Sequence, residues 1–292
     1  MMEMAVMPAA AIMRLTPRDR ALLEILNELR YLTAAQIREV CYPSISVRST
    51  SRRLSLLGRR GLLTCLSHRA FDDRRAFWSL GPLGRAAAGA LAEAPVDRAR
   101  AWAVAALQID HLIATNQVFC DLCALHRAGR LRAFRWIGAQ HAQVDLGVTH
   151  LVSDAVILVP SPGGCEWMYC LELDRGTMSP LALRAKFARY RLFHQMADHR
   201  RDDPLWDVRA TSWVLFACSD AARAVQAARL AGECGVERFW AGAAAEVAVG
   251  LATSVGGEAA APPGDPPSGL AGGIFPPPQG VRAPAEREGG LR

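Results

Sequence analysis

Lysine is almost missing from this chain: of 34 basic residues, 33 are arginine and one, Lys186, is lysine. Arginine is used wherever a positive charge suffices. Lys186 is therefore the candidate for a position that needs a compact ammonium and not a planar guanidinium. Long uncharged apolar runs are missing as well. No stretch of ~18 or more such residues occurs, so no membrane-spanning helix is expected. The start, MMEMAVMPAAAIM, contains no basic residue. It does not read as a secretory signal, and residues 1–13 are expected to be a flexible N-terminus. A cytoplasmic location is expected, with the eight cysteines reduced and no disulfide framework. No internal repeat is visible.

What is present is a lopsided charge. Residues 1–85 hold 14 arginines against seven acids, a net of +7, whereas residues 86–292 hold 20 basic residues against 21 acids. A positive field confined to one third of the chain attracts a polyanion and speeds its association. A merely arginine-rich proteome would spread the excess evenly. The 292 residues suffice for about two domains.

The basic third reads as three helices and a hairpin. Thr16-Pro17 is an N-cap with proline in the first helical position, and Leu22, Leu23, Leu26 and Leu29 follow at helical spacing, over roughly 17–30. Thr33 caps a short second helix that ends near Pro43. A third helix is expected over 46–60, with an inner stripe of Val47, Leu54 and Leu57 and an outer stripe of Arg48, Arg52, Ser55 and Arg59. Gly61 ends it. Two strands, 62–67 and 76–80, flank a charged turn containing Arg69, Arg74 and Arg75. This order predicts a winged helix-turn-helix over 14–92. Its third helix enters the major groove, and its hairpin touches the backbone or minor groove. Arg48, Ser49, Arg52, Arg53, Arg59, Arg69, Arg74 and Arg75 are the candidate DNA contacts, combining phosphate positioning with arginine readout of guanine. The alternative is a protein-interaction winged helix whose basic faces are only solvated.

Beyond an alanine-rich helix at 84–92, a long helix is expected over 98–127. Cys120 and Cys123 lie within it with no glycine turn and no second pair, so they read as core thiols, and His111 and His126 are read likewise. The rest, 98–245, alternates as an α/β domain with strands at 131–136, 151–159, 167–173 and 212–218. A turn is expected at 161–164, and helices at 179–198 and 220–231. From 256 the chain is rich in proline and glycine and is expected to be a disordered tail.

Three acids stand out in this region. Asp154 interrupts the apolar run LVSDAVILV, and Glu172 and Asp174 leave one face of the next strand. If the two strands pair antiparallel, Asp154 faces the other two. Converging carboxylates repel unless a cation intervenes, and Mg²⁺ or Mn²⁺ suits such oxygens. A metal held there would support phosphodiester hydrolysis, with Arg175, Lys186, Arg189 and Tyr190 nearby. The alternative is structural: an Asp174–Arg175 surface pair, and Asp154 bonded to an arginine.

The segments LTPRDRALLEILNELRYLTAAQIREVCYP, RRLSLLGRRGLL, WSLGPLGR, HLIATNQVF, SDAVILV and LELDRGTMSPLALRAKFARY occur in this order over about 14–240. In this the sequence resembles the replication-relaxation family of plasmids and mobile elements. The resemblance implies a role in DNA replication, relaxation or mobilisation. The second half also resembles the restriction-endonuclease-like fold. Asp154 and Glu172 match its two acidic positions, Asp174 stands where lysine is usual, and Lys186 on the following helix supplies a displaced ammonium. The fold class expected is thus α+β: a winged helix-turn-helix, an α/β restriction-endonuclease-like domain and a disordered tail. Asp154, Glu172, Asp174 and Lys186 are the candidate catalytic residues, the three acids being the metal ligands. An active Mg²⁺-dependent nickase and an inactive nuclease-like fold both remain open. No histidine cluster with a placed tyrosine, as in a rolling-circle relaxase, is found. Double-stranded DNA is the expected partner, with a homodimer or replication and mobilisation proteins as further partners. The alternative function is a transcriptional repressor whose C-terminal domain dimerises or senses a ligand.

Overall fold

The computed structural model describes residues 15–67, 76–91, 106–131, 133–160, 166–197 and 212–256. The hairpin tip with Arg69, Arg74 and Arg75, the turn at 161–164, the N-terminal 1–13 and the tail beyond 256 lie outside the described residues.

Local capping sets the first three helices. Helix α1 (Pro17–Leu29) opens on a reciprocal box: the Asp19 amide donates to Thr16 Oγ1 at 3.2 Å, and the Thr16 amide donates to Asp19 Oδ2 at 2.9 Å. Strand β1 (Leu32–Thr33) leads into α2 (Ala34–Cys41), which repeats the device with Thr33 and Gln36. Ser46 caps α3 (Val47–Arg59). Leu54 and Leu57 are buried as expected, but Val47 is 66% exposed and Thr50 takes the inner position instead. Val47 sits in the first turn, before the helix reaches the core. Strands β2 (Leu63–Ser67) and β3 (Ala76–Leu80) pair antiparallel, and β1 adds to β3, giving the order β1-β3-β2. Helix α4 (Pro82–Leu91) packs so close to the turn after α3 that a Cβ at Gly84 would lie 1.9 Å from the Leu62 carbonyl.

The second half is built on a five-stranded mixed sheet in the order β10-β9-β8-β7-β4. Its strands are β4 (Arg135–Gly138), β7 (Ala155–Pro160), β8 (Glu166–Asp174), β9 (Trp213–Cys218) and β10 (Phe239–Ala243). The β4–β7 and β7–β8 pairs are antiparallel; β8–β9 and β9–β10 are parallel. Helices α6 (Pro180–Ala197) and α7 (Ala221–Glu233) make the parallel crossovers. Alternation along the strands divides two cores. Tyr169, Leu171 and Leu173 face α5 (Ala106–Arg127) and α8 (Ala244–Gly256), while Met168, Cys170, Val214 and Phe216 face α6 and α7.

Three expectations change. The run at 151–159 is not one strand: β6 (His150–Val152) pairs with β5 (Gln143–Asp145), and β7 starts only at Ala155. The break falls at Ser153–Asp154, because the Asp154 carboxylate takes the Leu173 amide at 2.8 Å. The strand expected at 131–136 starts later, at Arg135, and α8 carries regular structure to Gly256. The two halves also share one buried cluster, running from Leu22, Leu26 and Ile37 through Phe119 to Leu171 and Leu251. Helix α5 ties them together. Asn116 Nδ2 donates to the carbonyls of Leu29 and Tyr31 at 3.0 and 2.8 Å, and Gln36 Nε2 donates to the Ile113 carbonyl at 2.9 Å. Cys120 and Cys123 point into this core, where burial pushes the Cys123 thiol up to about 12.

Candidate functional site

Two groups of polar residues stand apart from the core. The first is the outward face of α3. Arg48, Arg52, Ser55 and Arg59 are exposed, and the three arginines have no ion-pair partner among the described residues. Helical spacing aligns them because the opposite stripe, Thr50, Leu54 and Leu57, is fixed in the core. Ser49 is also exposed, its hydroxyl 3.0 Å from that of Ser46. Arg53 departs from the expected set of DNA contacts. Its guanidinium pairs with the buried Asp19, donating from both Nε (2.8 Å) and Nη2, and Tyr42 OH donates to the same carboxylate at 3.2 Å. Burial alone would raise the Asp19 carboxyl, but the hydrogen bonds from Arg53 and Thr16 and the arginine charge hold it below its ordinary range. This pair fixes α3 against α1.

The second group lies where β8 ends. Glu172 and Asp174 sit on the face toward α6 and α7, as the i, i+2 spacing demands, and both are buried. Their partners differ. Glu172 accepts from Lys186 Nζ through Oε2 and from Tyr190 OH through Oε1. Tyr190 OH also lies 2.9 Å from Ser153 Oγ. Asp174 accepts from Arg223 Nε and from the Gly176 amide, the latter at 3.0 Å. Asp154 bonds His111 Nε2 at 2.9 Å and the Leu173 amide at 2.8 Å. Arg175 reaches Asp110 at 3.7 Å, not Asp174. Arg189 folds back on the Ala185 carbonyl.

The electrostatics follow from burial and these contacts. Desolvation pushes the Glu172 carboxyl up to about 7 in spite of Lys186. Burial would lower the Lys186 ammonium, yet the carboxylates of Glu172 and Asp154 keep it above its ordinary value. His111 is raised by its hydrogen bond to Asp154, which outweighs its burial. Asp154 is lowered: burial opposes this, but the His111 bond and the Lys186 charge prevail. Tyr190, fully enclosed, is driven well above its ordinary value and is no nucleophile.

The three acids therefore do not converge on one point as expected. All six of their oxygens already accept a hydrogen bond, and the Lys186 ammonium and the Arg223 guanidinium bring positive charge to Glu172 and Asp174. Among the described residues, no group of three or more histidine, cysteine or acidic side chains is placed to hold a metal ion. The sequence reading missed two members. His111 had been assigned to the core, yet its side chain is 35% exposed. Its signal is the adjacent polar pair Asp110-His111 in the first turns of α5. Arg223 lies 49 residues from Asp174 and gave no signal.

Fold and site together define a mixed α+β protein. A small three-helix unit with a free arginine face is fused through one core to a mixed sheet that encloses an ionic network. Residues 23–206 match the replication-relaxation family, and the chain belongs to that family. No curated protein and no solved structure matches it.

Proposed function

We propose that the protein binds double-stranded DNA through a winged helix-turn-helix, in the replication, relaxation or mobilisation of a plasmid or mobile element. The observation that carries this reading is the α3 face, where Arg48, Arg52 and Arg59 stand exposed and unpaired beside Ser55. Unpaired arginines on a rigid helix suit both phosphate contact and bidentate contact to guanine. Helices α2 and α3 form the helix-turn-helix, and β2 and β3 form the wing; the sequence between those two strands contains Arg69, Arg74 and Arg75. The order α5, β4, β7, β8, α6, β9, with the separate β5–β6 pair inserted between β4 and β7, supports a restriction-endonuclease-like arrangement for the second half. Its compensated carboxylates favour a DNA-binding chain over a metal-dependent nickase.

The test is a salt titration of duplex binding. Arg48→Ala with Arg52→Ala should weaken binding and lower the slope of log K against log salt by about 2, about 1 for each lost phosphate contact. A titration that overlays wild type would refute the assignment of α3.

A further inference from the structure

Val47 departs from the expected pattern of α3. Spacing assigns it to the inner stripe with Leu54 and Leu57, yet it is 66% exposed while they are buried. The other exposed large apolar side chains among the described residues, Val148, Val152, Leu181, Val225 and Val249, all lie in the second half. A lone exposed valine is ordinary on a protein surface. The company and the place of this one are not.

The other exposed residues of α3 are Arg48, Ser49, Ser51, Arg52, Ser55 and Arg59. Each is a serine or an arginine. Guanidinium groups only donate, and they suit phosphate oxygens and the N7 and O6 acceptors of guanine. None of the six carries a methyl. The group that marks thymine in the major groove is its C5-methyl, which takes apolar contact. Val47 brings two methyls to a face that otherwise has none.

Val47 is also the first residue of α3, directly after the Ser46 cap, whose hydroxyl takes the Ser49 amide at 3.2 Å. In a helix-turn-helix the N-terminal residues of the recognition helix meet the base edges. Val47 heads the row Val47, Ser51 and Ser55, at i, i+4 and i+8, and stands one residue from Arg48. Consecutive Cα atoms are ~3.8 Å apart and base pairs ~3.4 Å apart, so the two residues are spaced to address neighbouring pairs.

The helix beneath is fixed. Thr50, Leu54 and Leu57 are buried, and Arg53 is paired with Asp19. A β-branched side chain in a helix has one strongly preferred χ1, so the methyls are set before DNA arrives and little rotamer freedom is lost on contact.

Resting on the DNA-binding reading above, we infer that Val47 is a specificity-determining residue: its methyls pack against the C5-methyl of a thymine beside the base pair met by Arg48, and so favour T·A at that position.

The full chain first selects its site from a randomised duplex pool. Each thymine of the selected duplex is then replaced singly by deoxyuridine, which lacks only the methyl. Binding is titrated for wild type, Val47→Ala and Val47→Ile. At one thymine, wild type and Val47→Ile should lose affinity by about fourfold, the worth of one buried methyl. Val47→Ala should bind the thymine and uracil duplexes alike. Its salt slope should equal that of wild type, because no charge is removed. Its melting temperature should hold, since the side chain is exposed and alanine is the better helix former. A purely structural valine would lower the melting temperature and leave the response to the base methyl unchanged.

If Val47→Ala senses uracil as strongly as wild type, the methyl is read elsewhere and the inference is overturned. No uracil-sensitive thymine in wild type, or no sequence selected from the pool, overturns it as well. The salt titration of Arg48→Ala with Arg52→Ala separates these results from failure of the DNA-binding reading. A lowered slope there keeps DNA binding and removes only the role of Val47, whereas an unchanged slope removes both.

Discussion

Glu172 concentrates the chemistry of the second half in one carboxyl. Held up to about 7 by burial, it keeps a proton that the unfolded chain, with an ordinary value of 4.5, gives up. The folded state then binds more protons than the unfolded state between these values, so stability falls as pH rises through that window. His111, also raised, acts in the same direction: its contribution is full below the ordinary value of 6.5 and is lost as pH climbs past its folded value. Asp154, lowered, acts oppositely and loses its contribution only as pH falls below the ordinary carboxylate range. Glu172→Gln should therefore flatten the decline in melting temperature between about pH 5 and 7. A wild-type slope in the variant would place the titration elsewhere. Lys186→Met should destabilise by about 3 kcal/mol or more above neutral pH, because it strands a buried carboxylate. The loss should shrink below pH 6, where Glu172 takes up a proton; denaturant melts at pH 5.5 and 8 would show it. At this scale the sequence was legible for Lys186, singled out by the scarcity of lysine, and for Glu172. The partnerships were not legible. Arg53 and Arg48 have the same side chain five positions apart, and only the packed position of Asp19 turns one inward.

Elements were legible where local chemistry sets them. Helices α1, α2 and α3 fall within a residue or so of the expected spans because Thr16, Thr33 and Ser46 each cap them through contacts three residues away. The apolar run at 151–159 misled because hydropathy cannot see a break made by a distant amide, that of Leu173. Helix α5 was found, but its role was not. Periodicity shows an apolar face and not which neighbours share it. Asn116, buried with its amide on the carbonyls of Leu29 and Tyr31 at the end of α1, makes this role testable. Asn116→Ala should cost about 1–3 kcal/mol by removing two buried hydrogen bonds, that to the Leu29 carbonyl, which keeps the Tyr31 amide, and that to the Tyr31 carbonyl. Chemical melts would measure that cost, and a loss under 0.5 kcal/mol would mean that α5 does not brace the first helix. The ionic network gives a second expectation at this scale. With six carboxylate oxygens engaged, Mn²⁺ should leave the melting temperature where an equal ionic strength of NaCl leaves it. A rise that saturates with Mn²⁺ and vanishes in Glu172→Gln would restore a metal site.

At the scale of the whole molecule, charge and core are divided differently. The positive excess is confined to residues 1–85, as the composition shows. The buried cluster instead runs without a gap from α1 to the five-stranded sheet and α8. Composition reveals the first because charge is a local property; it cannot reveal the second, since apolar residues do not specify their partners. The consequence is a rigid mount: α3 is held by Asp19 on α1, and α1 and α2 are held by α5, which also reaches Asp154. The most direct measurement of the central claim is a salt titration of duplex binding on two double variants of the full chain. One removes Arg48 and Arg52 from the α3 face; the other removes Arg175 and Arg189 near the ionic network. Both lose two positive charges. The account predicts that the first lowers the slope of log K against log salt by about 2 while the second overlays wild type. Equal slopes for the two variants, or a loss confined to the second, would contradict it.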